Sequence, residues 1–352
     1  MRNRMKIQKR DRIMAYNYLV TKNPTLIPGN PIVMVGGTVP GWKKKKGDLH
    51  FDHHKPGGHD IQLTEIPSNT RVNDQAVFVT TQLDADACAA AAWLQLLAMG
   101  LEPGSLQESR RVLMAIAYDC DHLGLPVEPE WDEYRDFAKR AVAALKQRGN
   151  ALALKMGFQL ARRETWSESH RFMYNSEAFR EGTEALVSAC LGHSEFPGVG
   201  GEADEYFQTM ENLRPKVYAA CSLYKGCAIF DQRGFEDYID PRLLVDWARK
   251  NATREITLTV RSGSNLPNTV PDWPSFSYTL GSVPLHSNGS PRFSDRGIWA
   301  RLQLLEVSIR EEKKVGMPET AWGGRNEVGG SSWRDPAIAS PKEIIDIVLG
   351  LD

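Results

Sequence analysis

Apolar residues in the first third of this chain fall into short runs, and several of these runs end in acidic or imidazole side chains. Val77 to Thr81 is β-branched and aromatic, which reads as a buried strand. Ala85 to Gly100 follows as a helix: its many Ala residues favour that state and allow close approach to a sheet, while Trp93, Leu94, Leu96 and Leu97 supply bulk. Asp84 stands where an N-cap belongs, and Asp86 lies in the first turn. A further apolar run from Val112 reads as a strand that stops at Asp119, Asp121 and His122. A third approach ends at Phe51, just before Asp52. Three strand ends carrying acids or histidines predict an α/β fold with a parallel sheet and one shared site at the carboxyl ends of its strands.

The remainder is expected to be helical, then mixed. Glu128 to Gly149 has apolar positions at helical spacing, with Gly149 suited to a stop, and helices are also expected over 176–191 and 203–224. Gly192 to Glu202 is the clearest linker signal. Residues 226–232, 255–261 and 276–282 read as strands, followed by a helix over 296–312. The domain pattern expected is residues 1–195, a linker and connecting helix over 196–224, and a smaller α+β domain over 225–352.

The most informative stretch is Phe51 to Asp60, FDHHKPGGHD. Asp52, His53 and His54 suit a strand end, where Pro56, Gly57 and Gly58 can turn the chain. A carboxylate beside an imidazole is a donor set for Mn2+, Zn2+ or Fe2+, and a second imidazole can meet a substrate oxyanion. Carboxylates and imidazoles gathered in one cleft repel or lose solvation unless a cation joins them, so a divalent metal is expected. The alternative for the acids at 84 and 86 is simple preference for a helix N-terminus.

These motifs, an apolar segment leading into Asp52-His53-His54, a D-x-D at a strand-to-helix junction and a further acid downstream, resemble the DHH superfamily of metal-dependent phosphoesterases. That resemblance implies a phosphodiesterase or exonuclease acting on short oligonucleotides or nucleotides, using one or two divalent ions, most readily Mn2+. It makes His53, Asp84, Asp86 and either Asp119 or Asp121 metal ligands. It makes His54 a phosphate contact and Asp52 a ligand or the partner that orients an imidazole. The chain departs from the family in motif order, since Asp52-His53-His54 precedes Asp84-x-Asp86. It also carries Thr80 and Met34 where ligands are usual, so that His59, Asp119, His122 or Asp48 would have to substitute.

Near the C-terminus, Ala321 to Pro336 reads as a loop in which Gly323, Gly324, Gly329 and Gly330 bracket Arg325, with Ser331 beside them. Glycine pairs let backbone amides approach a ligand, and Arg can grip a phosphate with two donors. The stretch resembles the substrate-holding motif of the accessory domain called DHHA1, which makes these residues substrate-binding. Trp322 and Trp333 could stack bases or belong to a core.

Composition adds boundaries. The 352 residues are 41% hydrophobic and 25% charged, ordinary for a globular protein. A net charge of -1 gives no global attraction to nucleic acid, so any such contact is local, for example through Lys43 to Lys46. An odd count of 5 Cys without CxxC spacing argues for reduced thiols and a cytoplasmic location. The basic N-terminus lacks an apolar core of the kind that directs secretion, and no apolar run is long enough to cross a membrane. The phosphate-ester substrate is the expected partner, with a homodimer left open. Two other readings stand beside the phosphodiesterase: a pyrophosphatase-type hydrolase, and a nucleotide-binding protein on a degenerate site.

Overall fold

The computed structural model describes residues 16–52, 63, 66–101, 103–122, 133–160, 166–235, 239–263, 266, 273–283, 293–318, 322–324, 328–332 and 335–350. The chain divides into two compact units, Met1–Leu160 with Thr165–Phe207, and Ala161–Glu164 with Gln208–Asp352.

The first unit is built on a four-stranded sheet of β1 (Asn17–Val20), β2 (Ile32–Val35), β3 (Leu49–Phe51) and β4 (Val77–Thr80), in the order β1-β4-β2-β3. All three pairings are parallel. Alternation along the strands splits the side chains between two clusters. Leu19, Ile32, Met34, Val77 and Val79 pack on one side, and Val20, Val33, Val35 and Phe78 on the other.

The α/β class expected from the apolar runs is therefore present. Helix α1 (Ala85–Ala98) follows β4, and every residue from Ala85 to Leu97 is buried. A helix apolar on all sides belongs inside a unit. It packs against α2 (Gln107–His122) and α4 (Glu168–Cys190), while α3 (Arg135–Lys155) packs on α2 and α4.

Three expectations need correction here. Val112 to His122 is not a strand but the second half of α2. Its buried Leu113, Ile116, Ala117 and Asp119 recur at three- and four-residue steps, a helical stripe that a short apolar run conceals. Gly149 does not stop α3, which continues to Lys155. A Cβ at Gly149 would lie 3.0 Å from the Tyr174 hydroxyl, so this glycine serves close approach of α3 and α4. The helix expected over 203–224 is α5 (Glu202–Ala219), and Cys221–Tyr224 is β5. Lys225 and Gly226 both have positive φ, 48° and 81°, and make the two-residue hairpin turn from β5 into β6 (Cys227–Asp231).

The second unit holds a six-stranded sheet in the order β5-β6-β7-β8-β10-β9, with β7 (Ile256–Ser262), β8 (Phe276–Ser282), β9 (Gly323–Gly324) and β10 (Val328–Gly330). Among the described residues its β6–β7 pairing is parallel and its other pairings are antiparallel. Its helices are α6 (Pro241–Asn251), α7 (Ile298–Lys313) and α8 (Pro341–Leu349). A buried ion pair ties α7 to the segment before α8. Arg310 donates to Glu306 at 2.8 Å and to the Pro336 carbonyl, and Glu306 accepts from the amides of Ile338 and Ala339. Among the described residues, no helix is long and apolar enough to cross a membrane.

Candidate active site at the carboxyl edge of the parallel sheet

Parallel strands deliver their carboxyl ends to one edge, and here two close approaches draw those ends together. Gly36, just past β2, has φ of 70° and donates its amide to the Phe51 carbonyl at 3.1 Å. Gly37 lies so near the segment after β4 that a Cβ would come within 2.4 Å of Thr81 Oγ1. Asp52 therefore begins beside the β2 turn, and the segment leading to Asp84 begins beside the same turn.

Asp52 is 6% exposed. Its Oδ2 accepts a hydrogen bond from Thr38 at 2.5 Å, and Thr38 Oγ1 is also 2.7 Å from His50 Nε2. Thr38 and His50 were not anticipated from the sequence. The available signal was alternation, because residues 50 and 52 fall on one face of an extended strand.

Asp84 caps α1 as its position predicts, with Oδ1 accepting from the Ala87 amide at 2.8 Å. Asp86, in the first turn, is fully buried. A helix N-terminus stabilises acidic side chains through its amides and dipole, which supports both carboxylates without a metal as well as with one.

Asp119 is buried, next to Cys120 in the chain. Burial pushes the Cys120 thiol well above the ordinary value, and Asp84, Asp121 and Asp86 push it further the same way, while Lys146 of α3 opposes them. The thiol of Cys88 on α1 is raised by burial and again by Asp84 and Asp86. The end of α2 and the start of α1 thus share one electronegative region. Cys120 stays a neutral thiol there, with none of the activation a nucleophile requires.

The expected single cluster is not formed by the described residues alone. Among them, no three Asp, Glu, His or Cys side chains are grouped to hold a metal ion. The cause is local. Because α2 is a helix, Asp119 and Asp121 project to roughly opposite sides rather than from one strand end, Asp84 is turned toward its own helix, and Asp52 toward Thr38. His53, His54 and His59 lie outside the described residues, as does the side chain of His122. Asp48 is not a substitute ligand at this edge. It sits at the opposite end of β3, accepting from the amides of Ile32 at 2.9 Å and Lys45 at 2.8 Å. Thr80 donates to the Gln82 carbonyl at 3.0 Å, and Met34 is a core residue.

In the second unit, the expected glycine loop is instead the strand pair β9 and β10, with Arg325 outside the described residues. Three of these glycines sit where a side chain would not fit. A Cβ on Gly324 would meet Trp299 at 2.7 Å, one on Gly329 would meet it at 2.5 Å, and one on Gly330 would meet the Tyr278 carbonyl at 2.2 Å. Gly323 alone of this set opens onto free space. Ser331 is buried, and its hydroxyl accepts from the Tyr278 amide at 2.9 Å. Trp322 is also buried, stacked on Tyr278 with ring centroids 5.7 Å apart, which makes it a core residue rather than a base platform. Trp333 lies outside the described residues.

No protein-family model matches the chain, and no curated protein matches it. Among solved structures it is similar to the pGpG-specific phosphodiesterase PggH from Vibrio cholerae, at 12% identity and a TM-score of 0.38, over 91% of this chain and 84% of that one. It is also similar to RecJ from Thermus thermophilus, solved in complex with Mg2+, at 12% identity and a TM-score of 0.33. That match spans 92% of this chain and 49% of RecJ. Likeness at this level leaves the chemistry of the edge to be read from this chain's own residues.

Proposed function

We propose that this protein is a metal-dependent phosphoesterase, and most specifically a phosphodiesterase or exonuclease acting on short oligonucleotides or nucleotides. The observation that carries the reading is the carboxyl edge of the parallel sheet, where Asp52, Asp84 and Asp86 follow β3 and β4.

The donor chemistry fits a divalent ion of the Mn2+ or Mg2+ type. It consists of hard carboxylate oxygens, buried enough that a cation would relieve their mutual repulsion. The described acids form no complete set among themselves; His53, Asp84, Asp86 and one of Asp119 and Asp121 are the proposed ligands. When bound, the ion would lower the pKa of a water and neutralise charge on the phosphate. The protein's own part is positional. The cap bond fixes the Asp84 carboxylate, Thr38 fixes that of Asp52, and the glycines after β2 let the strand ends meet. His54 would contact the phosphate oxygens. In the second unit, Gly323, Gly324, Arg325, Gly329, Gly330 and Ser331 are the proposed substrate contacts, with Gly323 and Gly324 exposed.

A second reading, a nucleotide-binding protein without turnover, is favoured by Thr80 and Met34, which place a turn hydroxyl and a core thioether where ligands would be expected. One panel separates the readings: hydrolysis of a dinucleotide, a single-stranded oligomer and pyrophosphate with Mn2+, with and without chelator. Chelator-sensitive cleavage of a diester supports the phosphodiesterase. Cleavage of pyrophosphate alone supports the small-phosphate hydrolase, and ligand binding without cleavage supports the binding protein.

A further inference from the structure

A three-member hydrogen-bond chain at the sheet edge has a direction that can be assigned. Thr38 Oγ1 is 2.5 Å from Asp52 Oδ2 and 2.7 Å from His50 Nε2. An ionised carboxylate only accepts, so the single hydroxyl proton of Thr38 goes to Asp52. The Thr38 oxygen must then accept from His50, which requires the proton of the imidazole to sit on Nε2. The ring itself is held from the side by Trp42, edge-on with centroids 5.3 Å apart, and Trp42 is anchored by its amide to the Val39 carbonyl at 3.0 Å. Thr38, Val39 and Trp42 all belong to the turn that Gly36 and Gly37 bring against β3 and β4.

We infer that Thr38 and His50 are positioning residues that set the orientation of the Asp52 carboxylate, through a chain running from His50 to Thr38 to Asp52. Asp52 directly precedes His53, so a rotation of its carboxylate would change what that oxygen pair presents beside the proposed ligand. Removing a partner that orients a carboxylate next to a metal site costs about 10–100-fold in affinity or activity. The inference rests on the phosphodiesterase reading for its catalytic consequence, but the hydrogen-bond chain itself does not.

The test uses the full chain with four variants: Thr38→Val, which removes the bridge; Thr38→Ser, which keeps it; His50→Leu; and His50→Gln, whose amide can donate in the same direction. 15N NMR of the imidazole reads the tautomer without reference to activity. The Nε2–H form is expected in the wild type, and the Nδ1–H form would overturn the inference. Steady-state kinetics on a dinucleotide with Mn2+ should show Thr38→Val losing about 10–100-fold in kcat with little change in KM. Thr38→Ser should recover most of that loss, and His50→Gln should exceed His50→Leu. A Thr38→Val protein with wild-type kcat, or a Thr38→Ser protein as impaired as Thr38→Val, would overturn it. A wild type that cleaves nothing would reject the phosphodiesterase reading instead, and the tautomer would then decide the chain on its own.

Discussion

The Gly36 amide donates to the Phe51 carbonyl at 3.1 Å, and this bond between the ends of β2 and β3 determines where Asp52 enters the sheet edge. It depends on Gly36 holding φ at 70°, a left-handed conformation that an L side chain enters at a cost of about 1–2 kcal/mol. Gly36→Ala should therefore lower stability by about that amount and reduce turnover, and Gly36→Asn should be milder because Asn tolerates this region better. Thermal unfolding and kinetics on the same preparations check both. Equal stability of Gly36→Ala and wild type would show that the turn relaxes elsewhere.

Asp84 has a structural and a chemical role that can be separated. The Asp84→Ala protein should lose about 1 kcal/mol of stability with its cap to Ala87. Asn is an equally good N-cap, so the Asp84→Asn protein should keep wild-type stability or exceed it while losing the charge. Calorimetric titration with Mn2+ should then find weakened binding in both. If Asp84→Asn binds Mn2+ like the wild type, Asp84 is a cap and nothing more.

The Glu306 and Arg310 side chains are each 3% exposed. Glu306→Ala would leave a buried guanidinium without its carboxylate, at a cost of about 3–5 kcal/mol. Replacing both by apolar residues should recover only part of that loss, because the amides of Ile338 and Ala339 also depend on Glu306. Denaturant unfolding of the single and double variants measures this.

The five cysteines are all free thiols, and burial raises every one. Cys227 is pushed up to about 11, and Cys190 and Cys221 to about 12, from 9.0. An acid whose folded pKa is raised contributes stability below its unfolded pKa and loses it as pH climbs toward the folded value, because the unfolded chain releases protons first. Stability should therefore decline from about pH 9 upward, and native alkylation at pH 8 should be slow. Rapid labelling of Cys120 at pH 8 would contradict the electronegative surroundings assigned to it.

Much of the edge was legible because it rests on local rules. The β-branched run at Val77 makes β4, Asp84 caps a helix of Ala and Leu, and Asp52 and Asp84 follow the ends of β3 and β4. What was not legible depends on partners distant in sequence. The run from Val112 has the composition of either element, and only burial of Asp119 together with Leu113 and Ile116 marks it as helix. The close approach of Trp299 to Gly324 and Gly329 likewise joins residues well separated in sequence. His50 carries no motif of its own and acquires meaning only through Thr38, twelve residues earlier.

Asp86 is fully buried at the start of α1, and its carboxylate is central to the proposed metal site. The most direct measurement is Mn2+ titration and dinucleotide hydrolysis on wild type and on Asp86→Asn, which preserves shape while removing charge. The account predicts that the wild type binds Mn2+ and cleaves the diester in a chelator-sensitive reaction. It predicts that a folded Asp86→Asn protein loses both by orders of magnitude. Undiminished cleavage by Asp86→Asn, or a wild type that neither binds Mn2+ nor cleaves a diester, would contradict it.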